Sequence, residues 1–228
     1  MRKREDSRAN AWVYDEIRAD IENLILKPGT ELNIQEVADE LGVSRSPVRD
    51  ALLRLERDRL VDIFPQRGTR VSFLDEDIIR QERFMRTQIE LGVLEKCLSK
   101  PRSGKEKEIF ITNLRCNLLQ QHADIISGNH IEYFRHDDEM HRIFYTEAGL
   151  DRIWLVLRAH TGNEHRVRIL SYEANNIVEN VGNEHERIVA AIADGDNEKA
   201  LELTKEHLGK LDNELRELMV SYADYFGK

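Results

Sequence analysis

Asp137 and His141 stand four residues apart, a spacing that puts both side chains on one face of a helix, about one turn apart. Two more histidines lie among apolar neighbours: His185 near Ile188, Val189 and Ile192, and His207 near Leu203, Leu208 and Leu211. Three imidazoles and one carboxylate form a donor set for a divalent metal, with Zn, Ni, Mn and Fe all compatible. Four protein ligands on an octahedral ion leave positions for water or a chelating carboxylate, and a nearby arginine could clamp that carboxylate. The competing reading is surface or capping histidines, the role assigned to His122, His130 and His136.

A second kind of chemistry is concentrated around Gly42 to Leu52. Ser44 is a good N-cap and Pro47 is tolerated in a helical first turn. Arg45 and Arg49 share one face, with Ser46 beside them, while Val48, Leu52 and Leu55 form an apolar stripe. A helix N-terminus carrying two arginines and small hydroxyls suits the major groove of DNA. A solvated surface helix is the alternative for this stretch taken alone.

The elements that must position these groups are mostly helical. Val13, Ile17, Ile21, Leu24 and Ile25 predict a helix over 10–26, stopped by Lys27-Pro28-Gly29. Asn33-Ile34-Gln35-Glu36 resembles a capping box opening a short helix, and Gly42 turns it into the Arg45 helix. Residues 60–64 and 69–73 then predict two strands joined by Pro65-Gln66-Arg67-Gly68. Helix, helix-turn-helix and hairpin in that order make a winged helix, with Gln66, Arg67 and Gly68 at the wing tip and Arg67 suited to a minor groove. Beyond Leu74 the patterning predicts six helices, near 75–99, 105–127, 131–147, 150–172, 175–194 and 197–222. Six helices in that length make an antiparallel bundle. The expected fold class is therefore mostly α, a winged helix-turn-helix followed by an all-helical bundle. The expected division is a tail at 1–9, a DNA-binding domain at 10–74, a metal- and effector-binding domain at 75–222 and a tail at 223–228.

Composition narrows the setting. The 228 residues carry a net charge of −9, which disfavours a protein that coats nucleic acid nonspecifically. Between Leu41 and Arg70, however, seven arginines face four acids, a basic island in an acidic chain. No apolar run approaches the roughly 18 residues of a membrane helix, and the charged Met1 to Asp6 stretch lacks a signal-peptide core. Cys97 and Cys116 make no disulfide framework. A cytoplasmic protein with no membrane partner is expected.

Residues 10–73 resemble the winged-helix domain of the GntR family of bacterial transcription regulators. The likeness is carried by Leu41 through Leu52, Leu55, Leu60-Val61 and Arg67-Gly68. It implies that Arg45 and Arg49 contact bases or phosphates, helped by Ser44, Ser46 and the wing tip. One departure is Gln35, where some relatives carry a basic residue. Residues 75–222 resemble the FCD ligand-binding domain of the FadR-like branch, through Arg86 to Glu90, Asp137 to His141, Glu184-His185-Glu186, Ala190 to Ile192, Asp194-Gly195-Asp196 and His207. That resemblance implies a metal on Asp137, His141, His185 and His207 and an effector carboxylate on Arg86. Met140 replaces the phenylalanine usual before the metal histidine. Asn163, His165 and Arg166 either line the same cavity or form a solvated face.

The expected function is a ligand-responsive transcription regulator, repressor or activator. It would bind a palindromic double-stranded operator as a homodimer and sense a small carboxylate metabolite at the metal. Two alternatives are a metal-dependent hydrolase or oxygenase and a regulator whose metal is purely structural. The enzyme reading lacks a general base or nucleophile beside the ligands and gives the winged helix no use, so no enzyme is expected.

Overall fold

The computed structural model describes residues 2–175 and 178–227. Helix α1 (Arg2–Glu22) leads into a short strand β1 (Glu31–Leu32), α2 (Ile34–Glu40), α3 (Arg45–Arg57) and the strands β2 (Val61–Phe64) and β3 (Gly68–Val71). Seven helices follow: α4 (Glu76–Ser99), α5 (Gly104–Ser127), α6 (His130–Ala148), α7 (Asp151–Ala159), α8 (Gly162–Asn175), α9 (Val178–Asp194) and α10 (Asn197–Ser221), then a short 3-10 turn at Ala223–Phe226. No described helix is long and apolar enough to cross a membrane. The chain divides into two compact units. The first comprises Met1–Glu82, Ala159–Leu170 and Arg216–Lys228; the second comprises Arg83–Arg158 and Ser171–Leu215.

In the first unit the winged helix forms as the periodicity predicts. Val48, Leu52 and Leu55 are buried with Val13, Ile17, Ile21, Leu60 and Val71 in one core. The sheet order is β1-β3-β2, antiparallel throughout, with Val61 opposite Val71 and Phe64 opposite Gly68. Gln66 takes a positive φ of 61° at the wing tip and Gly68 one of 110°, which lets three residues reverse the chain. Gly42, at φ 65°, makes the corresponding reversal between α2 and α3.

Local expectations differ from the structure in several places. Helix α1 starts at Arg2 and stops at Glu22 rather than running over 10–26. Leu24 then takes a left-handed φ of 57° and is buried, which turns the chain and leaves Ile25 on the surface. Ser44 occupies the N-cap of α3 with extended backbone, but its hydroxyl makes no capping bond. At α2 the Asn33 side chain accepts from Gln35 N and donates to Glu36 Oε1, so the acid closes on the cap's side chain and not on its backbone. The single helix expected over 150–172 is two helices, α7 and α8. Where they meet, Gly162 approaches so closely that an added Cβ would stand 2.9 Å from Glu22 and 3.0 Å from Leu60. Helix α8 continues through Asn175 across the break expected at 171–176, of which residue 176 lies outside the described residues.

A buried polar network completes the first unit. The Arg166 guanidinium, fully buried, donates to Ser72 O at 2.8 Å and to Asn163 Oδ1 at 2.5 Å. Asn163 Nδ2 and the Glu164 backbone N–H both donate to the Glu82 carboxylate at 2.8 Å. Asn163, His165 and Arg166 are thus buried side chains and not a solvated face. The segment expected as a C-terminal tail is folded too: Leu74 N donates to Tyr225 O at 2.8 Å, and Phe226 is buried.

Burial pushes the Glu82 carboxyl up to about 7, against the pull of its Asn163 and Glu164 donors. The folded protein therefore binds a proton that the unfolded chain has already lost between the ordinary carboxylate range and pH 7. Stability should fall as pH rises through that window and be fully present below it. Melting followed by circular dichroism should show this slope in the wild type and a flatter profile in Glu82→Gln. Arg166→Ala, which strands Ser72 O and Asn163 Oδ1 in the interior, should lose about 2–6 kcal/mol of stability in the same assay.

Candidate metal centre and nucleic-acid interface

The second unit brings Asp137, His141, His185 and His207 together from α6, α9 and α10, with one ligand atom from each lying within 4.8 Å of all the others. Asp137 and His141 are buried on the inward face of α6 beside Met140 and Phe144, because the four-residue spacing stacks them on the apolar stripe. His185 is completely buried on α9 and His207 nearly so on α10.

Each imidazole is oriented from outside by a different acceptor. His141 Nδ1 lies 2.6 Å from Glu90 Oε2, His185 Nδ1 2.8 Å from Gln121 Oε1 and His207 Nδ1 3.0 Å from Glu184 Oε2. The Gln121 amide has its polarity fixed in turn: its Nε2 donates to Asn117 Oδ1 at 2.7 Å, and Asn117 Nδ2 donates to His136 O at 3.0 Å. Gln121 must therefore present its oxygen to His185. A carboxylate or amide oxygen only accepts, so all three Nδ1 atoms carry a proton and all three Nε2 atoms are left facing inward.

Those nitrogens converge. His185 Nε2 stands 3.3 Å from His207 Nε2 and 3.4 Å from Asp137 Oδ1, and His141 Nε2 is buried with no hydrogen-bond partner among the described residues. The His207 ring stays neutral, because burial and the neighbouring His141 push its pKa down to about 3, so its Nε2 lone pair faces the other ligand atoms. A cation suits all of these contacts at once. Ligand atoms about 2.1 Å from an ion lie roughly 3 Å apart when adjacent, close to the separations found here. The donor set thus fits a divalent metal of the Zn, Ni, Mn or Fe group.

Glu90 does two tasks. Its second oxygen accepts from Arg86 Nε at 2.7 Å, so a buried arginine, a carboxylate and the His141 ring form one chain. Burial alone would raise the Glu90 carboxyl, but Arg86 and His141 outweigh it and hold the group well below the usual carboxylate range. The Tyr145 hydroxyl is also buried, with no hydrogen-bond partner among the described residues, and the charges of Glu90 and Arg86 both act on it. Sequence reasoning assigned no role to Glu90, Gln121, Glu184 or Tyr145. A signal existed for two of them, because Arg86 and Glu90 continue the inward spacing of Leu94, and Asn117 and Gln121 that of Phe110 and Leu114.

Of the histidines set aside as surface groups, His122 and His130 are exposed. His136 is buried, its Nδ1 2.5 Å from Asp124 Oδ2, because it faces α5 across the bundle.

In the first unit Ser44, Arg45, Ser46 and Arg49 are all exposed at the start of α3, and Gln66, Arg67 and Gly68 are exposed at the wing tip. Arg45 Nε donates to Gln35 Oε1, and Gln35 Nε2 donates to Asp39 at 2.6 Å, so the departure at Gln35 steadies Arg45 at the start of α3. Two arginines of the basic island lean on neighbouring rings while reaching the surface: the Arg54 guanidinium stacks 3.7 Å from the Tyr14 ring centre, and Arg70 pairs with Asp62 and packs over Phe64 and Phe73.

Residues 10–71 match the family described as bacterial regulatory proteins, gntR family, and residues 84–210 match the FCD domain, more than half of the chain. The chain belongs to the FCD group of GntR-type transcription regulators. It is 27% identical over 224 residues to the Escherichia coli HTH-type transcriptional repressor RspR, covering 96% of this chain and 94% of that one. It is also 27% identical over 214 residues to an uncharacterized HTH-type transcriptional regulator of Streptomyces ambofaciens, covering 94% and 88%. The fold is shared with E. coli McbR/YncC (TM-score 0.76, 18% identity, 94% and 98% covered) and with a Rhodococcus GntR regulator (TM-score 0.75, 20% identity, 95% and 99% covered). Members of this family are DNA-binding regulators rather than enzymes, which removes the hydrolase and oxygenase alternatives.

Metal titration with a competing chelator should give one tight site per chain in the wild type. His185→Ala with His207→Ala should abolish it, and Gln121→Leu, which frees the His185 tautomer, should weaken it about 10–100-fold. Unchanged stoichiometry in the double variant would remove the cluster from consideration.

Proposed function

We propose that this regulator binds a palindromic operator as a homodimer and responds to a small carboxylate metabolite held beside a divalent metal in its helical unit. The observation that carries the reading is the inward convergence of three Nε2 atoms and the Asp137 carboxylate, a donor set that suits an ion. Four protein ligands leave coordination positions for a chelating acid. Arg86, already buried and charged beside the cluster, and the Tyr145 hydroxyl are the groups that would receive the far end of that acid. When bound, the metal supplies a Lewis-acidic anchor for the carboxylate, while Glu90, Gln121 and Glu184 hold the rings that carry it.

On the DNA side, Arg45 and Arg49 would enter the major groove, with Ser44 and Ser46 on the phosphates and Gln66, Arg67 and Gly68 reaching the minor groove. Symmetric half-sites follow from a twofold dimer. A repressing role is supported by the relative named a repressor. An effector acts by binding one arrangement of the DNA heads better than another.

Operator sequences selected from random duplex DNA should be palindromic. Fluorescence anisotropy at fixed salt should show Arg45→Ala and Arg49→Ala each losing about 1–3 kcal/mol of specific binding. Wild-type affinity in both variants would overturn the recognition-helix assignment. In the same assay, a panel of dicarboxylates, sugar acids and hydroxy acids should identify acids that shift operator affinity of the metal-loaded protein. Arg86→Ala should blunt that shift and leave effector-free DNA binding intact; a panel with no active acid on metal-loaded protein would instead mark the metal as structural.

A further inference from the structure

A cavity of about 240 Å³ opens where the α4–α5 connection meets the α9–α10 turn. Leu98, Phe110, Ile111 and Ile192 make its apolar floor, and Phe110 and Ile192 belong to the main core of the helical unit. Its rim carries three cations, Lys100, Arg102 and Lys107, and among the described residues no carboxylate or imidazole lines it. The cavity stands apart from the metal quartet. Ile192 lies seven residues beyond His185 on α9, about 10 Å at the helical rise, and Phe110 lies eleven residues before Gln121 on α5, about 16 Å.

The three cations differ in what already holds them. The Arg102 side chain is 9% exposed, donates to Cys97 O at 2.9 Å and to Glu147 at 3.1 Å, and stacks 4.4 Å from the Phe110 ring centre. It is a fixed wall. Lys100 shares Glu147, donating to its backbone oxygen at 3.0 Å and lying 3.8 Å from its carboxylate. Lys107 has no ion pair among the described residues. A Cβ added at Gly195 would stand 3.8 Å from Lys107 Nζ, so the bare glycine leaves the ammonium room over the opening. Asp196, the next acid along the turn, is committed to capping α10 through Lys199 N. Three cations thus share one paired carboxylate, that of Glu147, and the remaining positive charge borders apolar surface.

We propose that this cavity is a second small-molecule site, taking a monoanion with a compact apolar body, an aryl or branched-chain carboxylate. The body lies on Phe110, Ile111 and Ile192, and the carboxylate takes Lys107 and Lys100. The volume falls just below that of drug-sized pockets, which suits a single ring and not a nucleotide or a long acyl chain. Arg102 stacked on Phe110 gives such a ring a flat wall to pack against. A ligand held there sits on the turn that joins the helices carrying His185 and His207.

The site is independent of the metal reading, and chelation separates the two. Fluorine NMR of para-trifluoromethylbenzoate with the full chain should show saturable binding that persists when metal is stripped. Lys107→Glu should weaken it about tenfold. Ile111→Trp, which fills the cavity, should abolish it, and both variants should keep the wild-type circular dichroism. The uncharged para-trifluoromethylbenzyl alcohol should bind about tenfold more weakly than the acid. Binding lost on chelation would place the acid on the quartet and overturn the second site. Unchanged affinity in both variants, or no saturable binding to the wild type, would overturn it as well. Equal binding of acid and alcohol would reduce the cavity to an apolar hollow and remove the anion from the proposal.

Discussion

The helical unit is built around one crowded polar point. Three imidazole Nε2 atoms and a carboxylate are aimed at it in a space with little water to screen them, and the outer hydrogen bonds hold each ring in place. Glu90, Gln121 and Glu184 each commit one ring, and they come from three different helices, α4, α5 and α9. With the ligands on α6, α9 and α10, five of the seven helices after the wing have a polar stake in the same point. An arrangement of this kind suits a positive ion at its centre.

The quartet was legible in the chain because its members obey helical spacing and sit among apolar residues. The outer partners were not, because Glu and Gln on a helix read as solvated until their burial is known. Asn117 and Gln121 occupy positions where the pattern of Phe110 and Leu114 calls for apolar side chains. Such a polar interruption of an inward stripe says that a partner exists and says nothing about which. The winged helix was legible for the opposite reason: its turns need particular backbone geometry at Gly42 and Gly68, and its core is local in sequence. What failed there were features set by distant residues, such as the break between α7 and α8, where Gly162 is pressed against Glu22 and Leu60.

The arginines of the winged unit divide by what they touch, and sequence counts them alike. Arg54 and Arg70 are spent on Tyr14, Asp62, Phe64 and Phe73, and Arg18 ties Tyr14 and Glu22 to the Ala159 carbonyl. Arg49 and Arg67 stay exposed, and Arg45 is exposed but steadied by Gln35. Arg54, Arg57 and Arg59 are exposed as well, so the charge lies at the surface while the contacts of Arg45, Arg54 and Arg70 set its directions.

The buried Arg166 has a consequence for how the two functions can be separated. The residue belongs by sequence to the helical half, yet it closes the end of β3 through Ser72, and Tyr225 near the far terminus caps Leu74. The DNA-reading unit is discontinuous in the chain, stitched from three segments whose outermost members lie at opposite ends. Cutting after residue 74 would keep the apolar core of Val13 to Val71 but remove Arg166, Asn163 and Tyr225, which satisfy polar groups at its edge. Such a head is not a cassette to be transplanted onto another sensor at that point, and a chimera that respects the fold has to carry 159–170 and 216–228 with it.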